Sequence, residues 1–215
     1  MRSSVWQASR CERWRLRKSW PGPLPPPSRV IPCCRRWRVL SMAKAAVLPA
    51  AFFDRPADRV AQQLLGAHLV ARTAQGVVRL PITEVEAYLG SHDLACHGSR
   101  GMTKRNATMF GPAGCWYVYL CYGMHWMLNI VTGKPGVPAA VLLRGAGEVS
   151  GPGRLTKALG IDRSLDGAAA VESSGVWFED AGTPVPPRRI ARTPRIGIGY
   201  AGEWVEKPLR FVVEP

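Results

Sequence analysis

Residues 82–90 read ITEVEAYLG, and their alternation constrains the fold more than any other stretch of the chain. Side chains alternate faces along a strand, so a strand here puts Glu84, Glu86 and Tyr88 on one face. A face with two carboxylates and a phenol is a poor core face, because a carboxylate buried without a partner is strongly disfavoured. Two readings stay open at this point. The row is the solvent face of a half-buried sheet, or it is a pocket wall that carries a catalytic carboxylate.

Charge is unevenly spread over the 215 residues. The net +14 comes from 29 Lys+Arg against 15 Asp+Glu. Residues 1–41 hold ten of the basic residues and a single acid, Glu12, which leaves the remaining 174 residues only modestly basic at +5. That balance suits a polyanionic partner without requiring one. The remaining length fits one domain with a real core.

The first 41 residues have a different character. They contain Trp6, Trp14, Trp20 and Trp37, six prolines including Pro25, Pro26 and Pro27, and three cysteines, with no period of 3.6 or 2 among the apolar positions. The proline run favours extended polyproline backbone. Residues 1–45 are therefore expected to be a disordered basic extension rich in Pro, Arg and Trp. Three origins fit: a nucleic-acid-binding arm, an Arg-rich transit peptide, or a start assigned upstream of a true start at Met42. No secretory signal pattern and no run of ~20 apolar residues is present. The later cysteines, Cys96, Cys115 and Cys121, are odd in number and lack a CxxC pair. A disulfide framework is therefore not expected, and Cys115 and Cys121 read as small buried hydrophobes.

Residues 46–215 read as one domain. Asp54-Arg55-Pro56 marks a helix start, followed by an apolar stripe at Ala57, Val60, Ala61, Leu64 and Leu65. Residues 68–72 and 77–88 form a hairpin around Gln75-Gly76, and 115–121 and 125–131 a second one turning at Gly123-Met124. A buried strand at 139–144, a helix covering Leu155 to Leu159, and short strands at 176–178, 195–199 and 209–213 complete the reading. The fold class is α+β: a single mixed domain, with an antiparallel curved sheet, flanking helices and a protruding β-hairpin.

The second hairpin, WYVYLCYGMHWMLNI at 116–130, is unusual. Tyr117 and Tyr119 share a face, and Tyr122 sits beside the turn. An aromatic core hairpin is one reading. An aromatic tip that wedges into stacked bases is the other.

A larger pattern then emerges. EAYLG at 86–90 is followed by His97, Arg105-Asn106, Met109-Phe110, YVYLCYGM at 117–124, Asn129 and LLR at 142–144. SGPGRLTKALGI at 150–161, RIGIGYAGEW at 195–204 and KPLRF at 207–211 complete it. In order and spacing this resembles the alkyladenine (3-methyladenine) DNA glycosylase family over residues ~50–215. The resemblance implies a monofunctional base-excision repair hydrolase. Such an enzyme flips a damaged purine out of duplex DNA and hydrolyses its N-glycosidic bond. Expected substrates are 3-methyladenine and 7-methylguanine, with deaminated and etheno purines as further candidates. It implies Glu86 as general base, Arg144 as a holder of the attacking water, and Tyr88, His97 and Tyr119 as walls around the base. Asn129 becomes the gate against normal guanine, Tyr122 the intercalating side chain and Met124 its neighbour.

Glu84 is the rival to Glu86, and the resemblance makes it structural or paired with a basic group. His92, His97 and Asp93 lack a further ligand pair at metal spacing, so no metal and no cofactor are expected. Lys104, Arg105, Arg154 and Lys157 are either a solvated face or phosphate contacts. The expected partner is double-stranded DNA carrying damaged purines, with no membrane and a monomeric enzyme. The expected location is the cytoplasm and nucleoid of a bacterium, or the nucleus or mitochondrion of a eukaryote. The rival class is a non-catalytic nucleic-acid-binding module on the same fold.

Overall fold

A computed structural model describes residues 45–214. The extension expected over residues 1–45 lies outside the described residues but for Ala45. Two short helices open the domain, α1 (Ala50–Phe53) and α2 (Ala57–Leu64). Pro56 stands at the N-cap of α2, and Val60, Ala61 and Leu64 turn its apolar stripe inward. Then come β1 (His68–Thr73), β2 (Gly76–Tyr88), β3 (Trp116–Cys121), β4 (His125–Thr132), β5 (Ala139–Ala146) and β6 (Val149–Ser150). A third helix, α3 (Pro152–Leu159), precedes β7 (Val176–Glu179), β8 (Ile190–Thr193) and β9 (Arg210–Val213).

Every strand pairing is antiparallel, and the main order is β3-β4-β5-β2-β1-β7. The thirteen-residue β2 holds the sheet together. Its first half pairs with β1. Its second half pairs with β5 on one edge and β9 on the other. The register shifts between Ile82 and Val85, where the strand changes partners. Such a bulge bends and twists the strand. Glu84 to Glu86 thus lie in a strand hydrogen-bonded on both edges, which holds their side chains at fixed spacing.

Alternation divides this sheet into a core face and a polar face. Val85 and Ala87 of β2, Val118 of β3, Leu128 and Ile130 of β4, and Val141 and Leu143 of β5 join one buried cluster with α2 and α3 residues. The intervening positions face the other way. The ladder lines up Tyr117 with Asn129, Asn129 with Leu142, and Leu142 with Glu86. One transverse row therefore crosses four strands.

Helices α2 and α3 and both hairpins stand where the sequence puts them, while α1 has no counterpart in the sequence pattern; the other differences have physical causes. Residues 195–199 are a loop, not a strand. Gly197 takes φ +79° there; the Ile196 N–H donates to the Glu86 side chain and the Ile198 carbonyl accepts from the Ala201 N–H, instead of joining a ladder. The strand beside β9 is β8 instead. The hairpin turns at Tyr122-Gly123 rather than Gly123-Met124: both have positive φ, and Met124 N–H donates to the Cys121 carbonyl at 3.1 Å. Of the three cysteines among the described residues, Cys115 and Cys121 are half-buried and Cys96 is buried, its pKa pushed up to about 11 by burial.

Gly98 is where the loop after β2 packs against Pro138, the residue before β5. A Cβ there would lie 2.2 Å and 2.4 Å from Cβ and Cγ of Pro138. Gly98→Ala is expected to cost about 1–3 kcal/mol of stability, as overpacking does. The check is a lower urea midpoint at unchanged slope.

Candidate active site

The polar face of β2 to β5, closed by the loops 89–106 and 195–200, encloses an open cavity of about 500 Å³. Glu86, Tyr88, His97, Tyr119, Tyr122, Asn129 and Arg144 all line it, so seven of the eight side chains singled out in the sequence meet there. The eighth, Met124, stands apart at the hairpin tip, 72% exposed.

Glu86 is fully buried beneath the cavity. Its Oε1 accepts the Ile196 N–H at 2.8 Å, and Arg144 Nη1 lies 3.4 Å from the same oxygen. Its Oε2 accepts the Tyr88 hydroxyl at 3.1 Å. Burial raises its pKa above the ordinary glutamate value, opposed first by the Arg144 charge and then by the Ile196 and Tyr88 hydrogen bonds.

Glu84, two residues earlier, has a different fate. Its Oε1 accepts from Arg144 Nε at 2.8 Å and from Arg210 Nε at 2.7 Å. Burial raises its pKa, but the two guanidinium hydrogen bonds outweigh this and leave it below the ordinary value. Of two carboxylates on one strand face, one is a spent counter-ion and the other keeps its basicity. This geometry separates Glu86 from its rival on physical grounds.

The walls are aromatic. The His97 and Tyr119 ring centroids are 4.5 Å apart at 73°, and those of Tyr117 and Tyr119 are 5.4 Å apart at 32°. His97 Nδ1 lies 3.0 Å from the Tyr117 hydroxyl. Burial, and after it the Arg105 charge, lowers the His97 pKa, which favours the neutral imidazole. The Tyr117 hydroxyl can donate or accept; where it donates to Nδ1, the proton of the neutral ring sits on Nε2. Asn106 holds the His97 loop, its Nδ2 donating to the carbonyls of His97 at 2.8 Å and Gly101 at 3.0 Å. Asn129 Nδ2 donates to the carbonyls of Tyr117 at 3.1 Å and Met127 at 3.3 Å, which fixes its amide in one orientation.

Tyr122 stands at the rim, 87% exposed, with φ +49°. A non-glycine residue in that region is strained by about 1–2 kcal/mol, and such strain concentrates at functional sites. Arg105 borders the cavity, its Nη2 donating to the Leu120 carbonyl at 2.9 Å. Lys104, Arg154 and Lys157 are exposed. Among the described residues no group of three or more His, Cys, Asp or Glu could hold a metal ion. Asp93, once a weak ligand candidate, is paired with Arg195 at 2.6 Å.

Sequence reasoning missed the Ile196 amide, Arg210, and the Asp93–Arg195 pair. A backbone N–H carries no residue-type signal, and these partners sit more than a hundred residues from the groups they serve.

Comparison with known proteins gives consistent results. A sequence model described as methylpurine-DNA glycosylase matches residues 51–150 and 147–215. A Myxococcus xanthus protein is 47% identical over 176 residues, 77% of this chain and 89% of its own length. One from Methanocella arvoryzae is 47% identical over 186 residues, covering 77% and 91%. One from Legionella pneumophila is 43% identical over 174 residues, covering 78% and 94%. The names of all three carry the words "3-methyladenine DNA glycosylase".

The two carboxylates give a direct check. In a carbon-detected carboxyl titration, Glu86 is expected to titrate above the ordinary glutamate value and Glu84 below it. The reverse order would contradict the assignment of the ion pairs.

Proposed function

Because the chain belongs to the methylpurine-DNA glycosylase family, we propose that it is a monofunctional DNA glycosylase that excises alkylated purines, 3-methyladenine and 7-methylguanine first among them. The observation that carries this reading is Glu86: a buried carboxylate whose pKa is held above the ordinary value by burial despite the Arg144 guanidinium 3.4 Å away, at the base of an aromatic-walled cavity. That cavity opens beside an exposed tyrosine at a hairpin tip.

The target carbon C1′ is out of reach inside a stacked duplex, so the nucleotide must be extruded. Tyr122 is suited to fill the gap, with Met124 beside it. Badly paired lesions flip more easily, which supplies part of the selectivity. An N3- or N7-alkylated purine is cationic, and the rings of Tyr88, His97 and Tyr119 would attract it by cation–π interaction. Asn129, with its amide held in one orientation, is suited to act as the gate against guanine. The cationic base leaves as a neutral molecule with the glycosidic electron pair, so no general acid is needed. Water then adds to the oxocarbenium-like C1′, and its proton passes to Glu86, with Arg144 placed to steer the water. Deaminated and etheno purines are further candidate substrates. The enzyme would act as a monomer wherever the cell keeps its duplex DNA: the nucleoid of a bacterium, or the nucleus or mitochondrion of a eukaryote.

The test is single-turnover base release from duplexes carrying each lesion, with abasic sites revealed by alkali. Wild type is expected to release 3-methyladenine and 7-methylguanine without strand cleavage before alkali. Glu86→Gln should lose about 10²–10⁴-fold in rate while still binding lesion DNA. Binding without release in the wild type would favour the non-catalytic module. A version starting at Met42 should keep full activity if residues 1–41 are dispensable. Because Glu86 acts as a base, the rate should rise with pH through its raised pKa, placing the acidic limb above the ordinary glutamate range.

Tyr122→Gly should separate binding from stability. Relief of the positive-φ strain and the extra backbone entropy of glycine are of similar size. Folding stability should therefore stay within about 0.5 kcal/mol, while lesion-duplex affinity falls by about tenfold or more as the wedge is lost.

A further inference from the structure

Asp93 and Arg195 are both fully buried, and their side chains meet as a fork. Arg195 Nη1 donates to Asp93 Oδ2 at 2.6 Å, and Nη2 to Oδ1 at 2.8 Å. Nη1 also donates to the Ala87 carbonyl at 2.8 Å, next to Glu86 in β2. Asp93 in turn accepts the backbone N–H of Leu89 at 3.1 Å and of Ala95 at 3.0 Å. The pair thus ties three segments together: the end of β2, the loop 89–95, and the loop 195–199.

Two contacts lead from this tie to the proposed chemistry. The residue after Arg195 is Ile196, whose N–H donates to Glu86 Oε1 at 2.8 Å. The Arg195 guanidinium lies 4.7 Å from the centroid of Tyr88, whose hydroxyl donates to Glu86 Oε2. A buried ion pair is weak support for stability, since apolar side chains of equal volume often serve as well. Apolar side chains could not hold a guanidinium plane against a ring while fixing a backbone amide at a carboxylate. The fork geometry does both.

We infer that Asp93 and Arg195 are positioning residues that hold the Ile196 amide and the Tyr88 ring against Glu86. The inference rests on the glycosylase reading for its kinetic consequence, and on geometry alone for its structural one. Neither residue touches the reacting atoms; both act through the groups that set the orientation and basicity of Glu86.

The groups facing Glu86 are known from each element around it. Tyr88 and Glu84 come from β2, Arg144 from β5 and Tyr119 from β3, while Arg210 of β9 is held on Glu84. The 195–199 loop adds the Ile196 amide and the Arg195 charge. Arg144, the Ile196 amide, Tyr88 and Arg195 all favour the carboxylate. Loss of the amide bond therefore raises the Glu86 pKa further and moves the acidic limb of the rate to higher pH.

The experiment compares wild type, Asp93→Asn and Arg195→Lys in base release from a 7-methylguanine duplex across pH. Both variants are expected to bind the duplex within about threefold of wild type. Their single-turnover rate should fall by about tenfold or more, as misplacement near a reacting centre does, and in Arg195→Lys, which keeps the positive charge, the acidic limb should shift upward. A lowered melting temperature with unchanged rate and limb would mean a merely structural pair and would overturn the inference. Should neither variant fold, the wild type decides. The Ile196 amide proton resonance should titrate together with the Glu86 carboxyl, and a resonance that ignores that titration overturns the inference. Release by no protein, wild type included, counts against the glycosylase reading, and the amide titration then judges the positioning by itself.

Discussion

Two carboxylates share one face of one strand, and the protein gives them unlike partners. Arg144 stands between them, its Nε on Glu84 and its Nη1 toward Glu86. Arg210 adds a second guanidinium to Glu84 alone. Without that asymmetry two similar acids would compete for one cation and one proton. With it, Glu84 becomes a fixed anion that orients Arg144, and Glu86 keeps a proton affinity suited to base chemistry. The rest of the site is arranged around this division.

The sheet makes the division possible. Because β2 is hydrogen-bonded along both edges, Glu84 and Glu86 cannot exchange places, and the bulge near Ile82 turns their segment toward β5 and β9. The core face of the same strands packs α2 and α3 through branched aliphatic side chains. The polar face is left to carry a row from Glu86 through Leu142 and Asn129 to Tyr117. The Glu86 floor of the cavity and its aromatic wall are therefore two ends of one ladder, held at strand spacing by the backbone.

Much of this was legible in the sequence. The period of two in ITEVEAYLG and in WYVYLC placed Glu86, Tyr88, Tyr117 and Tyr119 on shared faces, since alternation in a strand is a local rule. The caps and turns around α2 and the two hairpins are likewise local. The loop at 195–199 misread as a strand shows where local rules stop: apolar alternation in RIGIG matches a strand, but Gly197 breaks the extended backbone and the neighbouring polar groups bond elsewhere. The turn at Tyr122 is a second case, because no pattern announces a tyrosine held at positive φ.

By itself, then, the sequence determined the strand faces and the aromatic hairpin, which neighbours within a few residues set, and the order of motifs along the chain that marks the family. The tertiary structure decided which carboxylate is spent and which stays basic. That choice depends on Arg144, Arg210, the Ile196 amide and the Arg195 charge, which reach Glu84 and Glu86 only when distant segments close around them. Proton affinity follows from desolvation and the charges within a few ångströms, and no local pattern contains those distances.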